Sequence, residues 1–279
     1  MKPFGSRALI LSGAGSARRC LSRAAAVALA VFTSAGLAWA DAPLRIAATP
    51  GPMADIIQHA ADLAAKQGLP VKVVIFSDWI TPNVATADGD VDANFYQHKP
   101  YLAVADETRH LNLVAVAPGV IMPMGLFSHK LKNLAGIPNG AQVAVANDPI
   151  NRGRGLELYQ KAGLITLKLG IGDFATLGDI RSNPKHLHFI ELEAPQLVRA
   201  LDDVEVAQVS FTFLLASGGD PNSALITDGA HNPHYAIQIV ARPAEAKDLR
   251  LLKFISIFHS PDEKAFILSR YHGFFTPAW

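Results

Sequence analysis

The sequence predicts an α/β fold built on largely parallel sheets, and three observations carry that prediction. Short β-compatible runs alternate with stretches whose apolar residues recur at helical spacing. Turn residues such as Pro50-Gly51-Pro52, Gly68 and Gly89 punctuate the alternation. Half of the 279 residues are hydrophobic and only 18% are charged, which is enough apolar surface for one large core or two modest ones.

The amino-terminal segment stands outside this pattern. Residues 1–40 hold Lys2, Arg7, Arg18, Arg19 and Arg23, no acidic residue, an apolar run over 24–37, and then Ala38-Trp39-Ala40. A basic start, a short apolar middle and an A-x-A end describe a secretory signal peptide cleaved after Ala40. As a spanning helix the apolar run is too short, and nothing after residue 40 approaches that length. Removing the leader takes away five positive charges, so the formal net charge of +1 becomes −4. The sole cysteine, Cys20, leaves with it. The mature chain is therefore expected to have no disulfide, no thiolate nucleophile and no cysteine to lipidate, hence no membrane anchor. Near-neutral charge without a basic run argues against nucleic acid as a partner. Arg18-Arg19 leave the export route open.

The mature elements then follow in order. Residues 44–49 alternate as a strand, Pro50-Gly51-Pro52 break it, and Met53, Ile56, Ile57, Ala60 and Ala64 mark one face of a helix ending at Gly68. Residues 71–76 read as a buried strand, followed by a loop and a short helix stopped by Gly89. Further strands are expected at 91–95, 111–117, 142–146, 188–192, 206–211 and 235–241, most with a helix-sized segment between them. There is no internal repeat and no long Pro/Gly/Ser linker. Turn residues around 119–125 and 228–233 flank strands and suit a discontinuous arrangement better than tandem domains.

Few segments carry chemistry. Asn147-Asp148-Pro149-Ile150-Asn151 leads from a strand into a helix, with Asp148 placed to cap it, Pro149 in its first turn and Gly163 as its stop. Arg154 lies about one turn in, so this helix start suits a carboxylate or phosphate; on these residues alone, a capped helix with solvated arginines fits equally. The run 90–102, with Asn94, Tyr96, His98 and Tyr101, is dense in polar and aromatic side chains directly after a strand, where α/β sheets bind ligands. Phe95, Tyr101 and Leu102 also suit a core. Among ten histidines the closest pairs, His186 with His188 and His231 with His234, lack a third ligand, so no metal is expected. Gly170-Ile171-Gly172 lacks the rest of a nucleotide loop, and no G-x-S-x-G elbow occurs. Glu191 and Glu193 precede Pro195, which is read as the first turn of a helix with Glu193 as its electrostatic complement. No cofactor and no catalytic residue is expected.

The ordered set formed by residues 90–102, by 142–149 with Asn151 and Arg154, by Ala162-Gly163-Leu164-Ile165, and by Leu192-Glu193-Ala194-Pro195-Gln196-Leu197 with Arg199 resembles the NlpA lipoprotein family. Its best-known members are methionine-binding receptors of ABC importers, and the match runs from about residue 44 to 279. The resemblance implies a type II periplasmic-binding-protein fold: two α/β lobes, joined by two crossing strands, that close on a small ligand. Lobe one would be 44–121 plus 231–279 and lobe two 126–228. The family would line the cleft with Trp79, Asn94, Tyr96, His98, Phe127, Asn147, Asn151, Arg154, Thr212 and Ile237, Arg154 clamping an α-carboxylate. Arg154→Ala would then abolish carboxylate binding and leave the fold intact.

Members that bind methionine carry an asparagine where Thr212 stands and another where Ile237 stands, and tyrosines where Trp79 and Phe127 stand. Without the lipobox cysteine this member would be a soluble periplasmic protein. The resemblance thus implies a monomeric, non-enzymatic receptor for a small amino acid or related organic acid, docking on an ABC permease. The competing expectations are a receptor-like protein acting only as a binding partner, and an enzyme or metal protein on the same fold.

Overall fold

The computed structural model describes residues 42–279; the expected leader, its expected cleavage site and Cys20 lie outside the described residues. Each sheet grows from a parallel core. β1 (Leu44–Ala48) lies between β2 (Val71–Ile75) and β3 (Ala93–His98), parallel to both. Its Leu44, Ile46, Ala47 and Ala48 are fully buried, as a strand covered on both faces requires. α1 (Pro52–Lys66) packs Met53, Ile56, Ile57, Ala60 and Ala64 into the core, the face its sequence spacing predicts. α2 (Thr81–Asp88) and α3 (Lys99–Arg109) follow β2 and β3.

β4 (Val114–Ile121) runs out of this sheet, and Met122-Pro123 lead straight into β5 (Met124–Phe127) of a second one. That sheet has its own parallel core. β6 (Gln142–Ala146) pairs with β9 (His188–Leu192) and β10 (Val206–Ser210), while β5 and β11 (Ile226–Thr227) join antiparallel. Between its strands run α4 (Pro149–Lys161), a small ribbon of β7 (Thr166–Leu167) and β8 (Ile180–Ser182), α5 (Leu197–Ala200) and α6 (Phe211–Ala216). Residues 228–235 return the chain to the first sheet as β12 (Ala236–Ala241), followed by α7 (Leu249–Phe258), α8 (Pro261–Arg270) and β13 (Thr276–Pro277).

Three sequence expectations need correction. The sheets are mixed, because β12 runs antiparallel to both β3 and β4: an outgoing and a returning crossing strand run in opposite directions. The strand placed at 91–95 begins at Ala93 and continues to His98, so the polar run lies in the strand rather than after it. Its amides are tolerated inside because they bond one another. Asn94 Nδ2 donates to Asn83 Oδ1 and Thr86 Oγ1, and Gln97 Nε2 donates to Asn94 Oδ1. Finally, the strand placed at 206–211 ends at Ser210, whose hydroxyl accepts the Thr212 N–H and caps α6.

Candidate functional site

Two helix starts meet between the sheets. On the first sheet, β3 ends in Tyr96, Gln97 and His98, all buried. His98 caps α3: its Nδ1 accepts the Tyr101 backbone N–H at 3.2 Å. Burial pushes the imidazole pKa down to about 3, and the charge of Arg154 adds to this, so the ring is neutral. With Nδ1 accepting, Nε2 carries the proton and faces Asn151 Oδ1 at 3.3 Å.

On the second sheet, α4 starts as the sequence predicts. Asp148 Oδ1 accepts the Asn151 backbone N–H at 2.9 Å, and Pro149 takes the first turn. Both carboxylate oxygens also accept Asn151 Nδ2, each at 3.1 Å. That fixes the amide with Oδ1 turned to His98, so one hydrogen bond spans from the first sheet to the second.

One turn on, Arg154 is 2% exposed. Nε donates to Asp228 Oδ2 at 2.5 Å, Nη2 donates to the Met122 carbonyl at 2.9 Å, and the guanidinium lies 4.2 Å over the Tyr235 ring. Asp228 Oδ1 accepts the Met124 N–H at 2.9 Å. Arg154 therefore grips both segments that connect the sheets. Its Nη1 is buried without a partner, an unspent donor on a full charge.

Tyr235 is held from beyond: its hydroxyl donates to Asp173 Oδ1 at 2.5 Å, and His234 Nε2 lies 2.5 Å from Asp173 Oδ2. Burial and the Asp173 charge push the Tyr235 phenol well above its usual range. The close approach of α4 to the turn carrying Asp173 needs Gly153, since a Cβ there would sit 2.0 Å from the Asp173 carbonyl oxygen. Gly153→Ala is expected to push that turn away and lower stability by about 1–3 kcal/mol; an unchanged chemical-denaturation midpoint would contradict this. Gly155 leaves similar room for the Gln208 side chain, which bonds the Asn151 carbonyl at 2.6 Å.

Around these bonds lies an inner chamber lined by Trp79, Tyr96, Gln97, His98, Tyr101, Met122, Asn151 and Ile237, with about 10 Å³ of free space. It shares Trp79 and Tyr101 with an outer cleft of about 210 Å³ between residues 78–109 and residues 147–150 with 193–195. The hydroxyls of Tyr96 and Tyr101 both donate to the Trp79 carbonyl, at 2.9 and 2.7 Å, while the indole packs on Phe213 with centroids 5.1 Å apart. Burial raises both phenols above their usual range, so they stay protonated donors.

The expected site residues divide accordingly. Trp79, Tyr96, His98, Asn151 and Ile237 share the inner chamber, and Asn147 lines the outer cleft. Arg154 lines a separate crevice with Glu157, Asp228 and Tyr235. Asn94 lies in the amide network with Asn83 and Thr86, behind the chamber wall. Phe127 packs edge-on against Phe211 in the core. Thr212 lies off the chamber wall and bonds the sulfur of Met122, which does line it. Gln97 and Met122 are not among the expected site residues; Gln97 stands in the same polar run as Tyr101, and Met122 is marked only by its place beside Pro123. Among the described residues no three His, Cys, Asp or Glu side chains converge on a metal site, and no helix is long and apolar enough to cross a membrane.

Two mixed α/β lobes, joined by two crossing segments around a polar and aromatic cleft, are the type II periplasmic-binding-protein fold. The chain belongs to the NlpA lipoprotein family, whose profile matches residues 44–279. It is 41% identical over 200 residues to the D-methionine-binding lipoprotein MetQ of Escherichia coli strain K12, covering 71% of this chain and 73% of that protein. Lipoprotein 28 of Escherichia coli O157:H7 is 38% identical over 240 residues, 85% of this chain and 88% of that one. Among solved structures, a nutrient binding protein from Burkholderia cenocepacia bound to methionine superposes with a TM-score of 0.81 at 36% identity, over 85% of this chain and all of that one. An ABC transporter periplasmic substrate-binding protein from Coxiella burnetii gives 0.80 at 38% identity, over 84% of this chain and all of that one.

Proposed function

We propose that this protein is the solute receptor of an ABC importer, binding a small amino acid or related organic acid, methionine or methionine-like, by closure of its two lobes. The observation that carries the reading is the buried Nη1 of Arg154, an unpartnered cationic donor one helical turn from the His98–Asn151 bond between the sheets. A ligand carboxylate would satisfy that donor, and the neutral His98 would place no second charge beside it. The names of the relatives support the same class of ligand.

Lobe one would comprise 44–121 plus 231–279 and lobe two 126–228, hinging on the two connections. The leader would be removed after Ala40, giving a lipid-free monomer in the periplasm that reaches its permease by diffusion. Capture followed by docking needs no catalysis.

Native mass spectrometry of mature protein purified without added ligand, followed by denaturing extraction, tests this reading. A released amino acid or small organic acid is expected, together with a rise in melting temperature on adding that compound. An empty protein that gains no thermal stability from an amino-acid and organic-acid panel would instead favour a partner-only role.

A further inference from the structure

Asp173 lines neither the inner chamber nor the outer cleft, yet its carboxylate joins the two halves of the molecule. It is built on the second sheet's side. The turn Gly172–Phe174 packs on α4, Gly153 brings the two backbones together, and just beyond it Arg152 Nε donates to the Ala175 carbonyl at 3.4 Å. Its partners come from the first sheet's side. The turn Pro233–Tyr235 packs on α3 and runs straight into β12, and its shape is set by Asn232 Oδ1, which accepts the His234 N–H at 3.1 Å. Across the gap the Tyr235 hydroxyl donates to Asp173 Oδ1 at 2.5 Å, and half-exposed His234 brings Nε2 to 2.5 Å from Oδ2.

Tyr235 passes this anchorage on to the site. It is buried, its ring lies 4.2 Å under the Arg154 guanidinium, and it meets His98 edge-on with centroids 5.3 Å apart. Burial works against charge on Asp173, yet the bonds from Tyr235 and His234 outweigh it and hold the carboxyl below its usual range. The phenol therefore donates to an ionised acceptor, and such bonds are stronger than neutral ones.

We propose that Asp173 is a positioning residue for ligand capture: it clips Tyr235 and His234 across the two lobes when they close, and thereby fixes the ring on which Arg154 rests. The inference rests on the receptor reading above and names a contact that holds its closed form. Parting the lobes separates Asp173 from both partners, so the clip stabilises the closed form and not the open one. Ligand enters the open form and leaves only after the clip breaks. Losing the clip therefore speeds release and leaves capture almost unchanged.

The test uses radiolabelled D- and L-methionine as probes. Release is timed by chase with excess unlabelled methionine, and dividing the dissociation rate constant by the calorimetric Kd gives the association rate constant. The proteins are the mature wild type, Asp173→Ala, Asp173→Asn, the milder Tyr235→Phe, and Asp173→Ala combined with Tyr235→Phe. Asp173→Ala is expected to release methionine at least tenfold faster, with association within about threefold of wild type. Asp173→Asn keeps an acceptor for the phenol and is expected to fall between the two. Tyr235→Phe keeps the ring under Arg154 and also releases faster, but adds nothing in the Asp173→Ala background, where its hydroxyl has no carboxylate to meet. Wild-type release from Asp173→Ala and Tyr235→Phe, even with a lowered melting temperature, would make Asp173 a structural part of its turn. That result, or effects of the two substitutions that simply add, would overturn the clip and leave the receptor reading standing. A wild type that binds neither enantiomer would remove the methionine reading and this inference with it.

Discussion

Arg154→Ala is expected to abolish measurable binding of carboxylate ligands and also to destabilise the fold. Truncating one member of a buried, hydrogen-bonded charge pair costs about 2–5 kcal/mol of affinity, hence about a thirtyfold weakening or more. The stability effect arises from the same side chain. Asp228 is 16% exposed on its side chain and bonded to Arg154 Nε; losing Arg154 would leave its Oδ2 and the Met122 carbonyl without that cationic donor, with only the Met124 N–H remaining on Oδ1. Breaking a buried ion pair from one side costs about 3–5 kcal/mol. The sequence reading, which expects the fold to be untouched, treats Arg154 as facing only the ligand. Its bonds to both connecting segments tie ligand affinity and stability to one side chain.

The double variant Arg154→Ala with Asp228→Asn separates the two effects. It should recover much of the lost stability, because no unpaired charge remains, while ligand affinity stays lost. Calorimetric binding and urea unfolding on the same three proteins provide the check. Affinity unchanged by Arg154→Ala would remove the proposed clamp.

The second large effect lies far from the cleft. Glu263 on α8 is wholly buried, its Oε2 is 2.6 Å from His59 Nδ1, and its Oε1 has no partner. His59 in turn stacks on Phe266 with ring centroids 3.9 Å apart. Burial lifts the carboxyl pKa from 4.5 to about 7, with His59 pulling it back only in part. The folded state therefore holds this proton over a pH range where the unfolded chain has released it. By linkage, this group's contribution to stability falls as the pH rises from about 4.5 to about 7, by about 2–4 kcal/mol in all.

Glu263→Gln removes the titration and keeps the shape. It is expected to flatten the stability profile across that window and to be more stable than the wild type at pH 8. Profiles from chemical denaturation that run parallel for the two proteins would show that Glu263 does not titrate there.

Much of the α/β order was legible in the sequence because periodicity and punctuation are local. Met53, Ile56, Ile57, Ala60 and Ala64 form a buried helix face whatever they pack against, and Asp148-Pro149 start a helix by satisfying its own N–H groups. Strand direction was not legible, because whether β12 pairs parallel or antiparallel depends on where the chain travelled between Thr227 and Ala236. The same limit applies to the side chains expected at the site. Asn94 and His98 stand four apart in one strand and look alike as polar residues among aromatics. Asn94 is consumed by Asn83 and Thr86, which come from a neighbouring helix. Met122 lines the chamber only because two crossing segments converge there, and no local pattern encodes that convergence.

The placement of Trp79 gives the molecule a built-in optical probe. Its indole touches Tyr101 on one side and Phe213 on the other, so emission from it senses both lobes and the contents of both compartments. The other tryptophan among the described residues, Trp279, stacks on His259 at 4.7 Å and donates Nε1 to the His259 carbonyl, at the far end of the chain and away from the cleft. Excited together, the pair supplies a signal and its internal reference. On the proposed receptor function, occupancy and closure would therefore be followed in the unlabelled protein, with no dye attached to its surface.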